Sequence, residues 1–160
     1  MSVTIRKMKV DDMIDVKGVD LMTWSDLYER CYASRPKLSP RTDTNILSYM
    51  HSDPEGAFVA NDDYAGVVGL GFAHVWGATG WIGPLSILPA YQAKGLGKDL
   101  LKHLLNYLED MGCMDIGLET MPESVISLGM YLKVGLRPES LVLMLTKTLE
   151  RSRTGGEGEE

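Results

Sequence analysis

Pro89-Ala90-Tyr91-Gln92-Ala93-Lys94-Gly95-Leu96-Gly97-Lys98-Asp99 is the stretch whose reading decides the fold. Ahead of it, Trp81–Leu88 (WIGPLSIL) has the apolar pattern of a strand. Behind it, Leu96, Leu100, Leu101, Leu104, Leu105 and Leu108 recur at helical spacing. Lys98, Asp99, Lys102 and Asp110 lie largely off that face, and Gly112 stands where a helix would stop. The spacing predicts a helix over Gly97–Met111, so the quoted stretch is a glycine turn feeding a helix. The first N–H groups of a helix have no internal partner. Glycines let a ligand approach the backbone closely, and the helix dipole favours negative charge there. Such a turn is suited to cradling a pyrophosphate, with Lys94 and Lys98 adding positive charge at its mouth. The dinucleotide fingerprint requires a third glycine at position 100, which is Leu. The spacing of a P-loop is absent as well.

Upstream, Gly66–Trp76 (GVVGLGFAHVW) reads as a long strand despite its glycines, and Gly77-Ala78-Thr79-Gly80 turns it into Trp81–Leu88. Ala57–Ala60 is a shorter strand before an Asn61-Asp62-Asp63 turn. These segments form an antiparallel meander. Proline cannot donate to a sheet ladder, so Gly83-Pro84 should mark a bulge or a break in pairing. Nearer the start, Val3–Met8 reads as a strand, and a helix begins near Asp12 with Asp11 or Asp12 as its cap. Leu21–Tyr32 is helical, Ala33–Pro40 is a loop broken by Pro36 and Pro40, and Thr44–His51 is a helix. Downstream, Met114–Thr120 reads as a strand, Ser124–Val134 as a helix and Ser140–Thr148 as a final strand. The polar, glycine-rich segment 151–160 is expected to be disordered. The 160 residues contain no repeat, and one domain over residues 1–150 is expected.

Composition narrows the function classes. With 44% hydrophobic and 24% charged residues the chain looks like an ordinary soluble domain. No apolar run approaches the roughly 20 residues of a membrane span, and MSVTIRKMKVDDM lacks the pattern of a secretory signal. A cytoplasmic location is expected, where Cys31 and Cys113 would be small buried residues rather than a redox pair. Two cysteines and three scattered histidines give no zinc pattern, so no metal is expected. The net charge of -6 speaks against nucleic acid. It suits a cationic acceptor, although solubility alone accounts for it at least as well.

Gln92-Ala93-Lys94-Gly95-Leu96-Gly97 resembles the Q/R-x-x-G-x-G/A acyl-CoA motif of the GNAT superfamily of N-acetyltransferases. Leu85-Ser86-Ile87-Leu88-Pro89 is similar to the strand that precedes that motif. Met130-Tyr131-Leu132-Lys133-Val134-Gly135-Leu136 resembles the family's later L-Y-x-K-x-G-F signature. The resemblance runs from Trp81 to Leu136, with the three motifs in order and a leucine helix and a strand between the last two. It implies an α/β fold: a mixed, mostly antiparallel central sheet, helices on both faces and a splayed acyl-CoA cleft.

The resemblance also implies roles. Backbone groups of Leu85, Ser86 and Ile87 would pair with the pantetheine arm like an added strand. The amides of Ala93, Lys94, Gly95, Leu96, Gly97 and Lys98 would hold the pyrophosphate. Tyr131 would touch the cofactor and protonate the departing thiolate, or be a packed aromatic. Where the family often has Asn, seven residues before this tyrosine, the chain has Ser124, which retains a hydroxyl for the cofactor but fewer donors.

The general base is open. Trp81 occupies the position of the catalytic glutamate of histone acetyltransferases and cannot act as a base. Glu119, in Gly117-Leu118-Glu119-Thr120, resembles the glutamate of bacterial ribosomal-protein N-terminal acetyltransferases. It could equally be a solvent-facing carboxylate. His74 is a reserve, and ordered water could relay the proton instead. Trp24, Tyr28 and Tyr32 repeat at helical spacing, as a core stripe or as a wall of the acceptor pocket. The expected activity is direct transfer of an acetyl group from acetyl-CoA to a primary amine, on a small molecule or a peptide. A homodimer is left open, as is the alternative of a non-catalytic acyl-CoA-binding or sensing module.

Overall fold

The computed structural model describes residues 2–32, 37–140, 142 and 145. The elements in chain order are β1 (Val3–Lys7), α1 (Met13–Tyr32), α2 (Asp43–Ser52), β2 (Ala57–Asp62), β3 (Gly66–Trp76), β4 (Thr79–Ile87), α3 (Leu96–Asp110), β5 (Asp115–Leu118) and α4 (Val125–Lys133). Most of the strand expected over Ser140–Thr148, and the whole of 151–160, lie outside the described residues.

The five strands form one open sheet in the order β1-β2-β3-β4-β5. β1 to β4 pair antiparallel, and β4 with β5 is parallel. Side chains alternate across the sheet, and this builds a core on each face. Val59, Leu70 and Phe72 pack with Val16 and Val19 of α1 and Ile46 of α2. Phe58, Ala73, Ile82 and Ile87 pack on the other face with Leu100, Leu101, Leu104 and Leu108 of α3. The leucine stripe therefore faces the sheet as its spacing predicts, and helices cover both faces.

Two glycines of the meander, Gly71 of β3 and Gly80 of β4, have a packing reason. A Cβ on Gly71 would stand 2.7 Å from Leu104 Cδ1, and one on Gly80 would stand 2.9 Å from Leu108. Their bare backbones let α3 lie close against the meander.

Residues around Asp12 differ from the expected simple cap. A short 3-10 turn, Val10–Asp12, leads into α1. The Asp12 carboxylate reaches back, accepting from the Lys9 N–H at 2.7 Å and from both terminal nitrogens of Arg6 at 2.8 Å. The Arg6 guanidinium holds the Asp12 carboxyl below its ordinary range. α1 then runs unbroken through Gly18, joining the two helical stretches read from the sequence. α2 is capped by Thr42, whose Oγ1 accepts from the Asn45 N–H at 3.2 Å.

β4 bears the irregularity expected at Gly83-Pro84. The register against β3 shifts between Gly71 and Ala73, opposite that dipeptide, and its peptide bond is cis. Parallel pairing with β5 covers only Thr79–Ile82, opposite Asp115–Leu118. β5 is shorter than the expected Met114–Thr120, so Glu119 stands one residue past its end.

Two glycine substitutions should act in opposite directions. Gly71→Val drives a branched side chain into Leu104 and should cost about 1–3 kcal/mol. A Cβ at Gly18, inside α1, meets nothing within 4 Å, so Gly18→Ala should add about 0.5–1 kcal/mol. Urea denaturation midpoints of the two variants check both signs.

Candidate active site

Past Ile82, β4 retains β3 as a partner on one side only. Leu88 donates its N–H to the Val68 carbonyl of β3 at 2.9 Å. Successive strand amides point to opposite sides, so the N–H groups of Ile87 and Leu85 face away from β3. The space they face is a cleft of about 1230 Å³ between the diverging ends of β4 and β5. Two side chains grip the Ile87 carbonyl: Thr23 Oγ1 of α1 at 3.1 Å and Gln92 Nε2 at 2.9 Å. These bonds fix the free edge between the first helix and the glycine turn. Ser86 points to the other face, where its hydroxyl donates to the buried Asp20 at 3.0 Å.

The glycine turn forms the next wall. Ala93 and Gly95 both have left-handed backbones, with φ of 57° and 89°. The first intrahelical bond of α3 joins the Asp99 N–H to the Gly95 carbonyl, and no side chain caps the helix start. Amides before Asp99 are thus left for a ligand. A Cβ on Gly97 would sit 3.2 Å from Met130 Sδ, so this glycine lets α4 close against the start of α3.

Tyr131 of α4 lines the same cleft while only 8% exposed. Ser124, at the start of α4, is also buried against the cleft and donates to Ser127 Oγ at 2.8 Å.

Of the residues singled out from sequence, Leu85, Ser86, Ile87, Ala93, Gly95, Gly97 and Lys98 line the cleft, as do Ser124, Tyr131 and Glu119. Lys94 and Leu96 do not. The Lys94 ammonium folds back to the Ala90 carbonyl at 2.8 Å and over the Tyr91 ring, and Leu96 packs into the α3 core. Glu119 is exposed at the cleft's edge rather than held in a strand.

His74 is 7% exposed, with Nε2 2.9 Å from the Gly83 carbonyl and Nδ1 3.6 Å from Asp53 Oδ2. A carbonyl only accepts, so Nε2 carries a proton in this contact. The other ring nitrogen, Nδ1, faces Asp53. That arrangement makes His74 a pin on the β4 irregularity more readily than a base.

Sequence reading missed Gln92, Thr23, Tyr49 and Arg41 as cleft residues. Gln92 is the first residue of the quoted motif, and that position is the signal that could have found it; its side chain reaches back to the Ile87 carbonyl. The others come from α1, α2 and the loop before α2, where no local motif marks them. Trp24 and Tyr28 do line the cleft.

This combination defines the class. Residues 21–136 match the family model "Acetyltransferase (GNAT) family", and the chain belongs to that family. It is 27% identical over 139 residues to the mycothiol acetyltransferase of Catenulispora acidiphila, covering 79% of this chain and 43% of that protein. The chain therefore spans less than half the length of that relative. The solved structure of PaiA N-acetyltransferase from Thermoplasma acidophilum, in complex with coenzyme A, superimposes with a TM-score of 0.77 at 20% identity. That match covers 89% of this chain and 94% of the other. Ard1 from Thermoplasma volcanium gives a TM-score of 0.72 at 17% identity, over 88% and 86% of the two chains. No helix among the described residues is long and apolar enough to cross a membrane.

Burial raises the Tyr131 hydroxyl above its ordinary phenol value, because desolvation disfavours the phenolate. The fold then retains a proton that the unfolded chain gives up near pH ~10. The resulting stability is full below that pH and is lost as pH rises through the folded value. Urea midpoints taken from about pH 8 to about pH 11 should fall more steeply at the alkaline end for wild type than for Tyr131→Phe. Parallel profiles would contradict the burial effect.

Proposed function

We propose that the chain is an acetyl-CoA-dependent N-acetyltransferase that moves the acetyl group directly to a primary amine. One observation carries this reading: the unpaired edge of Leu85–Ile87, the uncapped start of α3 and the buried hydroxyl of Tyr131 all line a single cleft. The family supplies the cofactor class, and the cleft residues fit it. An extended pantetheine arm would add to β4 as a further strand. The amides of Ala93 to Lys98 would hold the pyrophosphate through the backbone. Lys94 contributes its amide there rather than its ammonium.

The roles follow from chemistry. The Ile87 N–H, directed into the cleft, polarises the thioester carbonyl as negative charge develops on its oxygen. The amine attacks in its neutral form, and its nitrogen must lose a proton as the new amide bond forms. Glu119, at the cleft's edge, takes that proton directly or through water. Tyr131 donates its proton to the sulfur as the carbon–sulfur bond breaks. Its burial keeps it protonated, which is the state a donor requires. Cys31 and Cys113 have no part in this transfer. The competing reading is a module that binds acyl-CoA without turning it over, since a cofactor fold does not guarantee activity.

Thermal-shift titration with acetyl-CoA and with CoA tests the cofactor site. Ligand at 100 times its Kd should add about 2.7 kcal/mol of stability. Gly97→Asp places a negative charge where the pyrophosphate should lie and should remove the shift. Absence of any shift in wild type would end the acetyltransferase reading. With an active amine in hand, Tyr131→Phe should lower kcat by roughly 10²- to 10⁴-fold with acetyl-CoA affinity retained. Unchanged turnover would remove Tyr131 from the reaction, while binding with no turnover of any amine would favour the sensing module.

A further inference from the structure

The rest of the cleft carries information about the acceptor. Trp24 and Tyr28 of α1, Tyr49 of α2, and Trp76 and Trp81 of the β3–β4 hairpin line it. The Trp76 and Trp81 rings stack at 5.8 Å, and Trp24 and Tyr28 stand 6.2 Å apart. These rings offer an apolar body a place to lie. The charges along the lining are mostly basic. Arg30 and Arg41 line the cleft, and among its described lining residues Glu119 is the one carboxylate. The negative net charge of the whole chain therefore does not describe the surface the acceptor meets.

Arg30 is an exposed side chain tied to Asp26 one helical turn away. Arg41 is held differently. Its Nε donates to Asp20 Oδ2 at 2.8 Å, and Asp20 is 4% exposed beneath the cleft floor. The other Asp20 oxygen accepts from Ser86 Oγ at 3.0 Å, so both carboxylate oxygens are engaged. Arg41 Nη1 has a long 3.5 Å contact to Asn45 Oδ1. A guanidinium carries five donors in a fixed fork. Among the described residues, the contacts of Arg41 leave donors on both terminal nitrogens, and the residue lines the cleft. The guanidinium is oriented by a buried anion and stands two hydrogen bonds from Ser86. Arg41 and the free edge of β4 line the same cleft, so a carboxylate on the one and an amine at the other can belong to one molecule.

Resting on the acetyltransferase reading, we infer that the acceptor is an amine bearing both a carboxylate and an aromatic or bulky apolar body, of the amino-acid class, and that Arg41 is the residue that binds the carboxylate. A polycation would meet two arginines and a single carboxylate, which is the wrong complement for it. A bidentate guanidinium–carboxylate pair supplies both affinity and orientation. Arg41 touches no reacting atom and acts on specificity.

Matched acceptors test this with the full chain and acetyl-CoA, by following free CoA release. L-Phenylalanine and phenethylamine share a body and an amine and differ in the carboxylate. L-Tryptophan and tryptamine form a second pair, and spermidine is the polycation. The carboxylate member of each pair should have the higher kcat/KM by roughly ten- to hundredfold, and spermidine should be the poorest. Arg41→Met should bring each pair's ratio toward one, through KM rather than kcat. Because Arg41→Met leaves Asp20 buried without its cation, the double variant Asp20→Asn/Arg41→Met serves if the single one does not fold. Preference for phenethylamine, tryptamine or spermidine overturns the inference. So does acetyl-CoA binding with no amine of the panel acetylated, or a preference that survives loss of Arg41. Failure to bind acetyl-CoA at all is read separately in the thermal shift, and it removes the function reading and this inference together.

Discussion

Past Ile82 and Leu118, β4 and β5 stop pairing, and one strand edge is left with amides that need a partner. Buried or half-buried backbone groups without partners are costly, so a fold that keeps such an edge must hold it open by other means. Here the means are visible. β3 holds the far side of β4 through Leu88, Thr23 and Gln92 clasp the Ile87 carbonyl, and His74 contacts the Gly83 carbonyl at the irregularity. The contacts come from three elements, so α1, the glycine turn and β3 all bear on the geometry of this edge. The cleft is the consequence of that divergence and not a separate feature.

Close packing on the opposite face sets the position of the second wall. α3 approaches the meander because Gly71 and Gly80 offer no side chain at the contact, and α4 approaches α3 because Gly97 does not. The leucine stripe then buries Leu100, Leu101, Leu104 and Leu108 completely. Burial of this kind amounts to about 1.5–3 kcal/mol per side chain, which ties the start of α3, and the amides it presents, to the sheet that carries the free edge. Stability and the geometry of the cleft are thus fixed by the same contacts.

That also explains what could be read from the residues. The strand, turn and leucine helix from Trp81 to Asp110 form a local pattern, and a local pattern survives in sequence because its parts are neighbours along the chain. The interruption at Gly83-Pro84 was legible because proline has one consequence in a ladder. The ends of elements were less so. Glu119 reads as a strand residue by composition but lies past β5, because pairing with β4 ends at Leu118 and no propensity reports where a partner leaves. Lys94 reads as a phosphate ligand by charge, yet its ammonium finds the Ala90 carbonyl. Arg41, Tyr49 and Thr23 were invisible for a stronger reason. They reach the cleft only through tertiary packing of α1 and α2 against β3 and β4, which no spacing along the chain encodes.

The electrostatics make the same point about scale. A net charge of -6 is a sum over the whole chain, and it suggests a surface that draws cations. The cleft reverses that sign locally, because Asp20 lies beneath the floor and turns the guanidinium of Arg41 toward the space above it. The Asp20–Arg41 pair carries no net charge as a whole, but its cation is the half that lines the cleft. The cleft presents the outward half of an ion pair, with aromatic rings along the same lining. Net charge follows from composition, whereas the charge a ligand meets follows from which half of each pair the fold buries.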